Sequence, residues 1–93
     1  MNTHSLFYEN STQNIRAVKV ETLDDYLLRV YFSNKEIKIY DVKPLLNYKM
    51  FVPIIDKKKF AKAKVKYNTV IWNENIDIDP EDLYWSSVSE AVR

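Results

Sequence analysis

The 93-residue chain has no glycine, no cysteine, a single histidine and three prolines. The missing cysteine excludes a disulfide framework, a thiolate nucleophile and sulfur-ligated zinc or iron–sulfur centres, and it fits a reducing compartment. The expected localisation is therefore cytoplasmic. The missing glycine hands every turn that needs a positive φ angle to other residues, asparagine and aspartate first among them. Asn34, Asn47, Asn68 and Asn75 stand where glycine is expected. No apolar run approaches the roughly 20 residues that span a bilayer, because the longest, Met50 to Ile55, is broken by Pro53. No membrane partner is expected. The first residues lack a basic start followed by an apolar stretch, so no secretory signal is read there, and the glycosylation pattern Asn10-Ser11-Thr12 has no meaning without export.

Against these absences, 46% of the residues are hydrophobic, which argues against global disorder. A chain of this length forms one domain that buries about 60–65% of its unfolded surface. The net charge is only +1, yet it is unevenly distributed. Residues 43–66 hold eight lysines and one acid, and residues 73–90 hold six acids and no base. Complementary patches of this kind permit self-association, so an oligomer is one possible partner state.

Residues 1–14 show no sustained period and read as an N-terminal arm with an apolar island at Leu6-Phe7-Tyr8. From Ala17 the chain alternates, with Val18 and Val20 expected on the buried face and Lys19 and Glu21 opposite. Asp24-Asp25 makes a turn. Tyr26 to Phe32 repeats the pattern with Leu28, Val30 and Phe32 inward, and after Ser33-Asn34-Lys35 a third strand, Glu36 to Tyr40, is expected to point Ile37 and Ile39 inward. Three such strands make an antiparallel meander with one apolar face. Val42, Leu45 and Leu46 then take helical spacing around Pro44, and Met50, Phe51, Ile54 and Ile55 do so around Pro53. Asp56 caps a short helix over Lys57 to Ala63, anchored by Phe60. Lys64 to Tyr67 and Val70 to Trp72 flank an Asn68-Thr69 turn, and Asp79-Pro80 opens a last helical turn. The fold class is α+β: a three-stranded antiparallel meander, short helices and a second small hairpin in a single domain over 15–85, with a C-terminal tail at 86–93.

These landmarks resemble the bacterial family known as domain of unknown function 2442, over roughly residues 15–85. The matching pieces are Tyr26-Leu27-Leu28-Arg29-Val30-Tyr31-Phe32 before a polar turn, Tyr40-Asp41-Val42-Lys43-Pro44-Leu45-Leu46, Asp56 to Phe60, and Ile71-Trp72 with Asp77, Pro80, Leu83 and Tyr84. The motif residues carried over are Phe32, Asp41, Leu45, Phe60, Trp72, Asp77, Pro80, Leu83 and Tyr84. The chain departs from the family at its turns, where Lys35 or Asn34, and Asn75, replace the usual glycines. The resemblance implies a small bacterial cytosolic domain with no established activity. Some relatives are fused to helix-turn-helix domains, and some are encoded beside another small protein in a toxin–antitoxin-like arrangement.

Glu74, Asp77, Asp79, Glu81 and Asp82 invite a calcium reading, but Ile78 stands where that loop needs glycine and Tyr84 where it needs a bidentate glutamate. Asp79 as a helix cap, with Asp82 three residues on, explains the acids better and leaves Asp77 open. No metal site, cofactor site or catalytic group is assigned: no phosphate loop or nucleophile–base pair is present, and His4 lies in the arm. The expectation is a non-enzymatic protein-interaction domain, antitoxin-like or regulatory, whose partner is a neighbouring gene product. Tyr31 and Tyr40 are its expected outward contacts, with the Trp72 to Tyr84 surface as the other candidate. The alternative is a nucleic-acid-associated module using the lysine cluster of residues 57–66, Lys58, Lys59 and Lys62 above all.

Overall fold

A computed structural model describes residues 15–92 of the chain. The expected arm over 1–14, with His4 and its apolar island, lies outside the described residues. The main sheet is antiparallel and contains β1 (Ala17–Leu23), β2 (Leu27–Phe32), β3 (Ile37–Asp41) and β7 (Val88–Ser89), in the order β1-β2-β3-β7. A second antiparallel sheet holds β4 (Lys64–Lys66), β5 (Thr69–Asn73) and β6 (Ile76–Asp77) in the order β4-β5-β6. Two short α-helices, α1 (Lys57–Phe60) and α2 (Pro80–Trp85), complete an α+β domain. The expected second hairpin is thus widened by β6, and part of the segment read as a tail becomes β7.

Register decides which residues meet. The β2–β3 loop has three residues, Ser33 to Lys35, closed by bonds from Phe32 N to Glu36 O (2.9 Å) and from Lys35 N to Phe32 O (2.9 Å), with Lys35 at φ 75°. A left-handed third residue is what such a loop requires. This length sets Leu28 opposite Tyr40, Val30 opposite Lys38 and Arg29 opposite Ile39. Opposite residues share a face. Tyr40 and Lys38 therefore point inward beside Leu28 and Val30, and Ile37 and Ile39 lie on the opposite face, the reverse of the expectation from the sequence, although Ile39 is still buried there at 5% exposed. A bulge between Ala17 and Lys19 likewise splits the expected Val18–Val20 pair: Ala17 is buried and Val20 packs on the core, whereas Val18 is 55% exposed.

Between the sheets and helices lies one core. Leu28, Val30, Phe32, Tyr40 and Val42 supply one side, Phe51, Ile54 and Phe60 the middle, and Val70, Trp72, Ile76, Ile78 and Leu83 the other. Residues Lys43–Asn47 and Lys49–Ile55 are 3-10 turns rather than α-helix. Pro44 opens the first and Pro53 interrupts the second, and three residues per turn bring Phe51 and Ile54 onto one buried face. Asp56 caps α1 by accepting from Lys58 N at 2.9 Å, and Phe60 anchors it. The helix stops at Phe60, short of the expected Ala63. The β4–β5 turn falls on Tyr67 and Asn68, one residue earlier than expected, at φ 57° and 66°. Of the four asparagines in presumed glycine places, Asn68 alone is left-handed; Asn34 instead accepts from Glu36 N.

Candidate interaction surfaces

The outward face of the main sheet carries a fixed polar network. Glu21, Arg29 and Tyr31 are brought together because Glu21 pairs with Arg29 and Lys19 with Tyr31 across β1 and β2. Tyr31 Oη donates to Glu21 Oε1 (3.0 Å), and Arg29 Nη1 donates to the same oxygen (3.0 Å). Arg29 Nε reaches Glu90 Oε2 at 2.8 Å, and Lys19 Nζ sits 4.9 Å from the Tyr31 ring centre. The Arg29 guanidinium, then the Tyr31 hydroxyl, holds the Glu21 carboxyl below the usual glutamate range. The Tyr31 hydroxyl is raised by its bond to Glu21. Leu23, Leu27, Ile37, Ile39 and Val88 share this face, and none belongs to the core cluster. Ile39 is 5% exposed there, beside the 3-10 turn Glu90–Val92 that contacts β3, while Val88 is 50% exposed.

Tyr40, expected on this surface, is 3% exposed and belongs to the interior. Its hydroxyl donates to Asp82 Oδ2, and Asp82 Oδ1 accepts from Ser86 Oγ at 2.7 Å. Burial first, and the Asp82 carboxylate second, push the Tyr40 phenol well above its ordinary range. Tyr40 is thus a strut between β3 and α2. A cleft of about 290 Å³ opens beside it, walled by Pro44, Leu45 and Tyr48.

Lys38, which sequence reasoning passed over, is 8% exposed. Its ammonium donates to Tyr84 O (2.6 Å), among the last carbonyls of α2, and lies 3.9 Å from the Tyr84 ring centre. Helix-end carbonyls and an aromatic face both attract a cation. The signal in the sequence is a lysine between two isoleucines on a strand, but only register shows it to be inward.

The lysine cluster lies on α1, on β4 and between them. Lys57, Lys58, Lys59, Lys62 and Lys64 are exposed and make no ion pair among the described residues, whereas Lys66 pairs with Glu74 at 3.1 Å. Tyr67 stands 63% exposed at the hairpin tip, donating to Glu74 Oε1 at 3.1 Å.

The Trp72 to Tyr84 segment is mostly scaffold. Trp72 is buried against Phe51 and Phe60 and donates from Nε1 to Phe60 O (2.9 Å); Leu83 is fully buried. Tyr84 packs edge-on against Phe32 and donates to Glu36. Pro80 opens α2, and Asp79 caps it by accepting from Asp82 N at 3.1 Å. Asp82 does not complete the capping box, since its carboxylate serves Tyr40 and Ser86. Asp41 accepts from Lys43 N (2.9 Å), and Leu45 packs against the core. Asp77, left open by the sequence, is exposed on β6, and its carboxylate has no polar partner among the described residues. No helix among the described residues is long and apolar enough to cross a membrane.

A family model described as "Protein of unknown function (DUF2442)" matches residues 17–89. No curated protein matches the chain. A crystal structure from Nitrosomonas europaea ATCC 19718, described as a "Putative DNA Binding Protein", is similar with a TM-score of 0.67 and 25% identity, over 84% of this chain and 51% of that one. The chain thus spans about half the length of this similar protein.

Proposed function

Because the chain belongs to the DUF2442 family of proteins of unknown function, we propose that it is a non-catalytic docking domain that binds a protein partner on the outward face of its main sheet. The observation that carries this reading is that face itself. It presents Tyr31 and Arg29, the residue types that dominate binding hot spots, already fixed by Glu21, Lys19 and Glu90. Pre-fixed side chains lose little freedom on binding. Leu23, Leu27 and Ile37 around them offer apolar contact. The half-length match to a longer protein also fits a fold used as one part of a larger assembly.

The partner we propose is the product of a neighbouring gene in a two-gene, antitoxin-like or regulatory pair in the bacterial cytoplasm. A tagged copy expressed within its native gene cluster should retain that product at moderate salt. Tyr31→Ala and Arg29→Ala should each weaken capture by about tenfold or more, a loss larger than any fall in folded fraction read from their thermal melts. If repeated pull-downs return the domain alone, this reading is lost.

A second reading has its own support. Five exposed lysines without an ion pair within residues 57–64, and the DNA-binding description of the Nitrosomonas europaea protein, favour association with nucleic acid through residues 57–66. Such binding should fall steeply with salt and vanish on charge reversal of Lys58, Lys59 and Lys62. Absence of binding to any nucleic acid at low salt would dismiss it.

A further inference from the structure

Tyr67 is an unusual residue for its place. A two-residue hairpin turn with both residues left-handed favours asparagine or glycine, and a bulky side chain there strains the backbone. The sequence keeps tyrosine at φ 57° and leaves it 63% exposed. The ring is not loose: Glu74 holds its hydroxyl at 3.1 Å, and Lys66 Nζ, itself paired with Glu74, lies 5.1 Å from the ring centre. Strain retained at an exposed, pinned aromatic side chain is expected where the ring has a use. From this tip the unpaired lysines Lys64 and Lys62 run back along the chain to Lys59, Lys58 and Lys57 on α1.

Resting on the second reading above, we infer that Tyr67 and these lysines form a site for single-stranded nucleic acid, the ring stacking on one base and the ammonium groups holding phosphates. The occupant is single-stranded for two reasons. A ring 63% exposed, with Lys66 toward one face, offers its other face to an unpaired base, whereas the faces of duplex bases are already covered by their neighbours. Duplex readout uses a helix or ribbon in the major groove with arginine at base edges, but α1 is four residues long and the patch contains no arginine. Lysines are point charges that follow a backbone without reading sequence, so binding is sequence-tolerant.

The test is fluorescence anisotropy at low salt with a labelled oligothymidine strand and a labelled duplex of the same length, set beside thermal melts of each variant. The single strand should bind more tightly than the duplex. Tyr67→Ala should weaken it about tenfold, and Tyr67→Phe should keep most of the affinity. Tyr67→Gly is the decisive variant: it relieves the left-handed strain, so its melting temperature should rise while its affinity for the strand falls. A residue that only shaped the hairpin would not separate the two readouts. Equal strand affinity in the parent and Tyr67→Gly proteins, or duplex bound as tightly as single strand, overturns the inference while leaving lysine-driven binding intact. No nucleic-acid binding at all removes the second reading as well.

Discussion

The Tyr40 hydroxyl is removed from water and tied to a carboxylate across the core boundary, so its energetic weight differs from that of the half-buried phenol of Tyr31 on β2. Tyr40→Phe should cost about 1.5–3 kcal/mol in urea unfolding near neutral pH, the range for a bond to a charged acceptor. The pH dependence has a definite sign. The folded-state phenol is raised above its ordinary value of about 10, so its contribution is complete below that pH and is lost as pH climbs beyond it. The alkaline fall in stability should therefore be shallower in Tyr40→Phe than in the parent; Tyr31 and Tyr84, raised in the same direction, keep part of the slope. At this scale the alternation of Leu28, Val30 and Phe32 was legible. Tyr40 was not, because Ile37-Lys38-Ile39-Tyr40 alternates equally well either way. Hydropathy favours the isoleucines, and the three-residue loop overrules it.

Among the elements, caps and turns were the legible parts, and pairings between distant segments were not. Asp56 and Asp79 announced α1 and α2, since a short acidic side chain before a helical turn satisfies a free N–H. Asp79→Ala should cost about 1 kcal/mol, whereas Asp77→Ala, two residues away and exposed, should stay within about 0.5 kcal/mol of the parent. Paired chemical-denaturation curves at one pH would separate them. A large loss from Asp77→Ala would mean that β6 depends on that carboxylate. Strands β6 and β7 have two residues each, too few for any period to show. Their existence rests on partners elsewhere: Asp77 opposite Ile71, and Val88 opposite Ile39. For the same reason Glu90 was invisible as a partner of Arg29.

Among the described residues the uneven charge of the chain is met in part by local ion pairs, while Lys57, Lys58, Lys59, Lys62 and Lys64 make none. Glu21, Glu36 and Glu74 are each held below the usual glutamate value of 4.5, chiefly by bonds from Arg29, from Tyr84 and from Lys66 respectively. Depressed carboxyls stabilise the fold above that pH and cease to do so as they take up protons below it. Stability should thus decline from about pH 4.5 downward, and Glu21→Gln should flatten part of that decline in urea midpoints measured across the range. A parent and variant with superimposable acid limbs would show that the Arg29 network adds nothing to folding. Sedimentation at low and high salt addresses self-association: salt-sensitive dimers would point to the lysine surface meeting acids of a second copy, and an unchanged monomer would remove that option.

The closing strand of the main sheet is distant in sequence from its neighbour, for Ser89 must find Lys38. The first three strands can zip together as soon as they are synthesised, because their turns are short and their contacts local. Their fourth neighbour cannot join until residues 88–89 have been synthesised. Arg29 receives Glu90 only at that late step, so a growing or clipped chain carries a meander without a finished face. Removing β7 and Glu90 should therefore weaken any docking on this face together with the sheet's last pairing.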